Sequence, residues 1–221
     1  IVKTLFLFLV IAFALSLSAQ TVEIPDPTLQ KVIRWALEKP EGDITVNDME
    51  SLTVLDARWW GEPSIQSLEG LQVASNLSSL DLSGTSLRGG PIPSIGTGDL
   101  SPLGSLSSLT TLNLRGNQLT SLTLPEGLTS LTTLDLWGNQ LNDVSFLEGL
   151  TSLTTLNLTF SFTQPEKITG FPTPILWDNQ LSSLNTLRLP EGLTSLTTLN
   201  LRVNPITTLE VPKGFDIGRL Q

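Results

Sequence analysis

The feature that most constrains this chain is a register that recurs every 22 residues. From Leu109 it reads LTTLNLRGNQLTSLTLPEGLTS, then LTTLDLWGNQLNDVSFLEGLTS, then LTTLNL. Leu109, Leu131 and Leu153 share one position of the frame, Leu112, Leu134 and Leu156 a second, and Leu114, Leu136 and Leu158 a third. A fixed period of this length winds a chain into stacked coils, each burying its apolar side chains against its neighbours. Within x-L-x-L the side chains alternate, so the leucines enter the coil and the residues between them face outward. Stacked strands then make a parallel sheet.

Asn117, Asn139, Asn179 and Asn204 hold one further position of the frame. The backbone leaves the strand there, and its polar groups would be buried without ladder partners. A short amide carrying both donor and acceptor satisfies them, so these four are read as a structural ladder.

With the asparagine included, the frame is L-x-x-L-x-L-x-x-N-x-L, and the chain is identified as a member of the leucine-rich repeat family. The segments DLSPLGSLSSL (99–109) and DVSFLEGLTSL (143–153) resemble the bacterial internalin-type branch. The stretch IPDPTLQKVIRWALEKPEGDITVNDMESLTVLDA (24–57) is similar to the helical N-terminal cap of such proteins. The resemblance implies an α/β solenoid: a right-handed coil with a parallel concave β-sheet and a small helical cap. It implies no single function, because repeat scaffolds host many partners.

Residues 1–19 read as a secretory signal peptide, with Lys3, the apolar run Leu5 to Leu17, and small residues up to Ala19. That run is too short to span a membrane. A helical cap is expected over 20–51. Asp26 caps a first helix with Pro27 at its first position, and Leu29, Val32, Ile33, Ala36 and Leu37 fall on one face. Pro40 and Gly42 are expected to stop it. Thr45 and Asp48 have the spacing of a capping box for a second helix ending near Ser51.

About seven coils follow over 52–215, with strands expected near 54–57, 79–82, 111–114, 133–136, 155–158, 173–176 and 198–201 in one sheet. The first coil is degenerate, with Trp59 and Trp60 near the asparagine turn. The second has Thr85 at the Asn position and ten extra residues, punctuated by Gly and Pro, before Asp99. These form a rim loop. The fifth has Ser161 at the Asn position, and the sixth carries Pro172 and Pro174 in its strand, which lack ladder donors. Residues 216–221 read as an incomplete end, as of a longer protein.

The sequence has no His and no Cys, so His-dependent triads, cysteine nucleophiles and the common zinc sites are excluded. No phosphate loop is present. Asp43, Asp48 and Glu50 read as caps and solvated surface rather than as an acid–base pair. No enzyme, cofactor or metal is expected. Twenty-one acidic against twelve basic residues give a net charge of −9, which disfavours nucleic acid or an anionic membrane as partner.

The outward residues stack in columns. The column after the strand leucines runs Arg58, Ser83, Arg115, Trp137, Thr159, Trp177, Arg202. The middle column runs Asp56, Asp81, Asn113, Asp135, Asn157, Ile175, Asn200, and the one before it is mostly Thr and Ser, as strand propensity and solubility would select. Large aromatics and Arg on one face are the residue types that dominate interface energetics. Arg115, Trp137, Trp177, Arg202, Asp135 and Asn113 are therefore the expected binding residues. The expected function is a secreted or cell-surface, non-enzymatic recognition module taking a protein on its concave sheet. A glycan or cell-envelope binder stacking sugars on Trp137 and Trp177 is one alternative, and a structural spacer in a longer surface protein is another.

Overall fold

The computed structural model describes residues 20–58, 65–84, 99–117, 119, 121–139, 141, 143–159, 186–202, 204 and 206–219. The expected signal peptide, Trp59, Trp60, Thr85, the rim loop before Asp99, Ser161, and the sixth coil with Pro172, Pro174, Trp177 and Asn179 lie outside these residues.

The cap begins with helix α1, Pro27–Ala36. Asp26 Oδ1 accepts from the N–H groups of Thr28 and Leu29 at 2.9 and 2.8 Å, and Pro27 occupies the first turn, where a missing N–H costs nothing. Leu29, Val32 and Ile33 are fully buried along the expected face. The helix ends at Ala36, before the stop expected at Pro40 and Gly42. Glu38 adopts φ +51°, and the N–H groups of Glu38 and Lys39 return to the carbonyls of Trp35 and Arg34. This is a Schellman closure with glutamate where glycine is usual. Helix α2, Val46–Ser51, carries the full capping box between Thr45 and Asp48.

Two contacts of the cap are not legible in its pattern. Thr21 forms an antiparallel bridge with Thr45, flanked by bonds from Val22 N–H to the Ile44 carbonyl and from Val46 N–H to the Gln20 carbonyl. The second carboxylate oxygen of Asp26 accepts from the N–H groups of Gln66 and Ser67 at 2.6 and 3.2 Å. One buried aspartate thus caps α1 and ties it to the first coil.

Eight short strands follow: β1 Val54–Asp56, β2 Ser79–Asp81, β3 Thr111–Asn113, β4 Thr133–Asp135, β5 Thr155–Asn157, β6 Thr186–Arg188, β7 Thr198–Asn200 and β8 Thr208–Glu210. Strands β1, β2, β3, β4, β5 and β7 make one parallel sheet in that order. Leu55, Leu80, Leu112, Leu134, Leu156 and Leu199 lie side by side. The first five are completely buried. The core is this leucine column with Leu77, Leu109, Leu131, Leu153 and Leu196 beside it. On the opposite side of the coils the chain forms 3-10 turns at Leu71–Val73, Ser101–Ser105 and Ser145–Leu147. The arrangement is an α/β solenoid.

The expectation of seven strands in one sheet needs correction. β5 bonds directly to β7, pairing Thr155 with Thr198, so no strand from the sixth coil stands between them. The two prolines at 172 and 174 explain why such a strand would be a poor insert, since neither can donate to a ladder.

β6 and β8 form a second, two-stranded parallel sheet that the strand spacing did not suggest. Its sequence signal is SLTLPEGL (121–128), repeated as TLRLPEGL (186–193) and TLEVPKGF (208–215). The last two are one period apart and so become ladder partners. The first is flanked by coils that use 3-10 turns in that place, so it has no strand to pair with and forms none.

Candidate functional site

Three sets of side-chain bonds run across the main sheet. The first is a hydroxyl ladder. Ser78, Thr110, Thr132, Thr154 and Thr197 each donate to a backbone carbonyl of the preceding strand's coil, at 2.9 to 3.2 Å. These residues stand one position before the outward Ser and Thr column of Ser79, Thr111, Thr133, Thr155 and Thr198, and their hydroxyls close the gap between coils.

The second set lies in the middle column. Asp56, Asp81, Asn113, Asp135, Asn157 and Asn200 each accept the N–H two residues onward, an Asx turn that bends the chain out of the strand. Sideways, Asn113 Nδ2 donates to Asp81 at 2.9 Å and Asn157 Nδ2 to Asp135 at 3.0 Å. Amide alternates with carboxylate from β2 to β5, so no two of those carboxylates face each other on adjacent strands. Asn113 and Asp135, expected at the binding face, are thus also fastened within the sheet.

The third set is the asparagine ladder. Asn139 is completely buried. Its amide donates to the carbonyls of Leu114 and Leu136, both at 2.9 Å, and its Oδ1 accepts from the N–H groups of Asn117 and Leu119, both at 3.1 Å. Asn117 donates in the same way to Leu82 and Leu114, and Asn204 to Leu158 and Leu201.

The column after the strand leucines stands at the C-terminal ends of the strands, past the Asx turns. Arg58, at its start, is caught by Asp56 at 2.6 Å and Asp81 at 3.4 Å. The Arg58 hydrogen bond holds the Asp56 carboxyl below its usual range, and Asp56 in turn raises the guanidinium. Ser83 is buried and donates its hydroxyl to Asp81.

Arg115 and Trp137 come together: the guanidinium carbon lies 3.8 Å from the centroid of the indole. Both side chains are half-buried. Thr159 follows, and Arg202, two residues past β7 and exposed, comes next to it. Arg115 Nε and Thr159 Oγ1 are buried with no hydrogen-bond partner among the described residues. These two orphaned atoms stand in the coils on either side of Trp137. Reading columns from sequence identified the residues but not the stacking, which depends on rotamers.

Among the described residues, no group of three His, Cys, Asp or Glu side chains converges as for a metal ion, and no helix is long and apolar enough to cross a membrane.

Family models described as leucine-rich repeats in two copies match residues 107–149 and 129–173, and a single leucine-rich repeat matches 76–97. A search of curated proteins finds no match. Among solved structures, an internalin (inlF) from Listeria monocytogenes is 24% identical over 89% of this chain, with a TM-score of 0.54. The chain spans 46% of that structure's length. An internalin C2 from the same species is 26% identical over 88% of this chain and 78% of its own, with a TM-score of 0.43. The repeats, the parallel sheet and the capped N-terminal end lead to one assignment. The chain carries leucine-rich repeats and has an internalin-like fold.

Proposed function

We propose that this is a secreted or cell-surface recognition module that binds a protein partner across its main sheet, without enzymatic activity. Arg115 and Trp137 are the centre of the face, Asn113 and Asp135 its floor, and Arg202 its flank. The observation that carries the reading is the Arg115–Trp137 stack. Neither side chain belongs to the leucine core. Arg and Trp on one half-buried surface are the residues whose truncation most often costs an interface 2 kcal/mol or more.

The same stack weighs against a sugar platform. A pyranose ring needs a free indole face, and Arg115 covers one of the two. Trp177, the second platform that reading relies on, lies outside the described residues.

The test is affinity capture from the proteins and glycans of the native surroundings, using wild type, Trp137→Ala and Arg202→Ala. The expected result is a protein recovered by wild type, lost at least tenfold with Trp137→Ala, and weakened in a salt-sensitive way with Arg202→Ala. Identical recovery by all three would remove this face as the site, and recovery of nothing would favour the spacer.

A further inference from the structure

The described cations differ in how they are neutralised. Lys39 pairs with Asp48, Arg58 with Asp56 and Asp81, and Arg188 with Glu210. Arg115 pairs with no carboxylate among the described residues, although aspartates stand on the strands at either side. Asp81 Oδ2 is taken by Arg58 and by Asn113. Asp135 Oδ1 is taken by the Trp137 N–H and by Asn157. The sheet's own carboxylates are thus directed to amides and to Arg58, leaving Arg115 out.

An unpaired guanidinium that is half-buried carries a desolvation cost, which a stack on indole offsets in part. A ligand acceptor would offset the rest. The stack also fixes the plane of the fork before any ligand arrives, so little rotamer freedom is left to lose. Arg in a fixed plane suits a carboxylate, which accepts two parallel hydrogen bonds.

Resting on the reading of this face as a protein-binding surface, we infer that the partner segment seated there is an acidic peptide segment whose carboxylate docks on Arg115, with apolar neighbours lying against Trp137. A sulfated glycan would also bring anions, but as a dense polyanion it meets a chain of net charge −9, which repels it at long range. One or two carboxylates among apolar side chains do not incur that repulsion to the same degree.

The test uses the full chain and a random peptide display library, panned on wild type and counter-screened on Trp137→Ala. Enriched peptides that depend on Trp137 are synthesised twice, once as selected and once with each Asp and Glu changed to Asn and Gln. Expected are acidic peptides whose affinity falls about tenfold or more in the amide form. With Arg115→Gln the two forms should bind equally, and with Arg115→Lys the preference should shrink but persist. Because one change is made in the peptide, its effect is independent of how any variant folds.

Trp137-dependent peptides indifferent to the acid-to-amide change would overturn the inference and leave the reading of the face intact. So would an acid preference that Arg115→Gln leaves undiminished. If no Trp137-dependent peptide is enriched, both fall. Arg115-dependent retention on heparin in place of peptide enrichment would assign the site to a polyanionic glycan and overturn the inference as well.

Discussion

Replacing Asn139 by Ala would remove both donor bonds of its amide and leave two buried N–H groups, those of Asn117 and Leu119, without the oxygen they donate to. Each such group costs about 1 to 3 kcal/mol, so the variant should lose about 3 kcal/mol or more. Asn113→Ala removes only an Asx bond and one sideways bond at a half-buried position, where water can substitute. A loss of under about 1 kcal/mol is expected there. Urea midpoints for the two variants check this, and equal shifts would contradict it. The asparagine ladder was legible in sequence because burial selects one residue type at a fixed interval. The roles of Thr110 and Asp135 were not, since Thr and Asp are equally at home on a solvated strand. Only the atoms they reach tell a hydroxyl that closes a coil from one that faces water.

At the level of elements, α2 depends on a carboxylate in a way that pH should expose. Burial by itself would raise the Asp48 carboxyl, but hydrogen bonds from Lys39 and from the Thr45 backbone and hydroxyl outweigh it and hold the group below its ordinary value of 3.8. With the folded-state value lowered, the stabilisation is fully present above the unfolded value and is lost as pH falls through the folded one. Asp48→Asn should therefore be less stable than wild type at neutral pH, by about 1 kcal/mol for a capping residue. The gap should close as pH drops below about 4, as read from melting temperatures of both proteins across an acid series. Helix α1 was legible from its N-cap and apolar face, and α2 from the capping-box spacing of Thr45 and Asp48. The end of α1 was not, because the stop comes from a left-handed Glu38, a conformation its side chain does not advertise. The β6–β8 sheet was missed for a different reason: a strand exists only where the adjacent coil offers the same shape, so it is a property of two coils.

Across the whole molecule, stability in a solenoid is a sum of contacts between neighbours rather than of one shared core. Leu112, Leu134 and Leu156 are fully buried, whereas Leu199 on β7 and Leu209 on β8 are only partly so. Native-state hydrogen exchange should accordingly be slowest in β3, β4 and β5, faster in β7 and fastest in β8. Uniform protection would mean that the coils unfold as one unit. The contact of β5 with β7 carries a further meaning. Thr197 donates to the Thr154 carbonyl across a sequence separation of 43, as Thr132 does to Thr110 across 22, and Asn204 reaches the Leu158 carbonyl across 46, as Asn139 reaches Leu114 across 25. The hydrogen bonds at this joint are the same whether one period or two have passed in the chain. The joint therefore accommodates a longer stretch of chain between its two strands than the joints before it, and Arg202 still comes into register with Thr159.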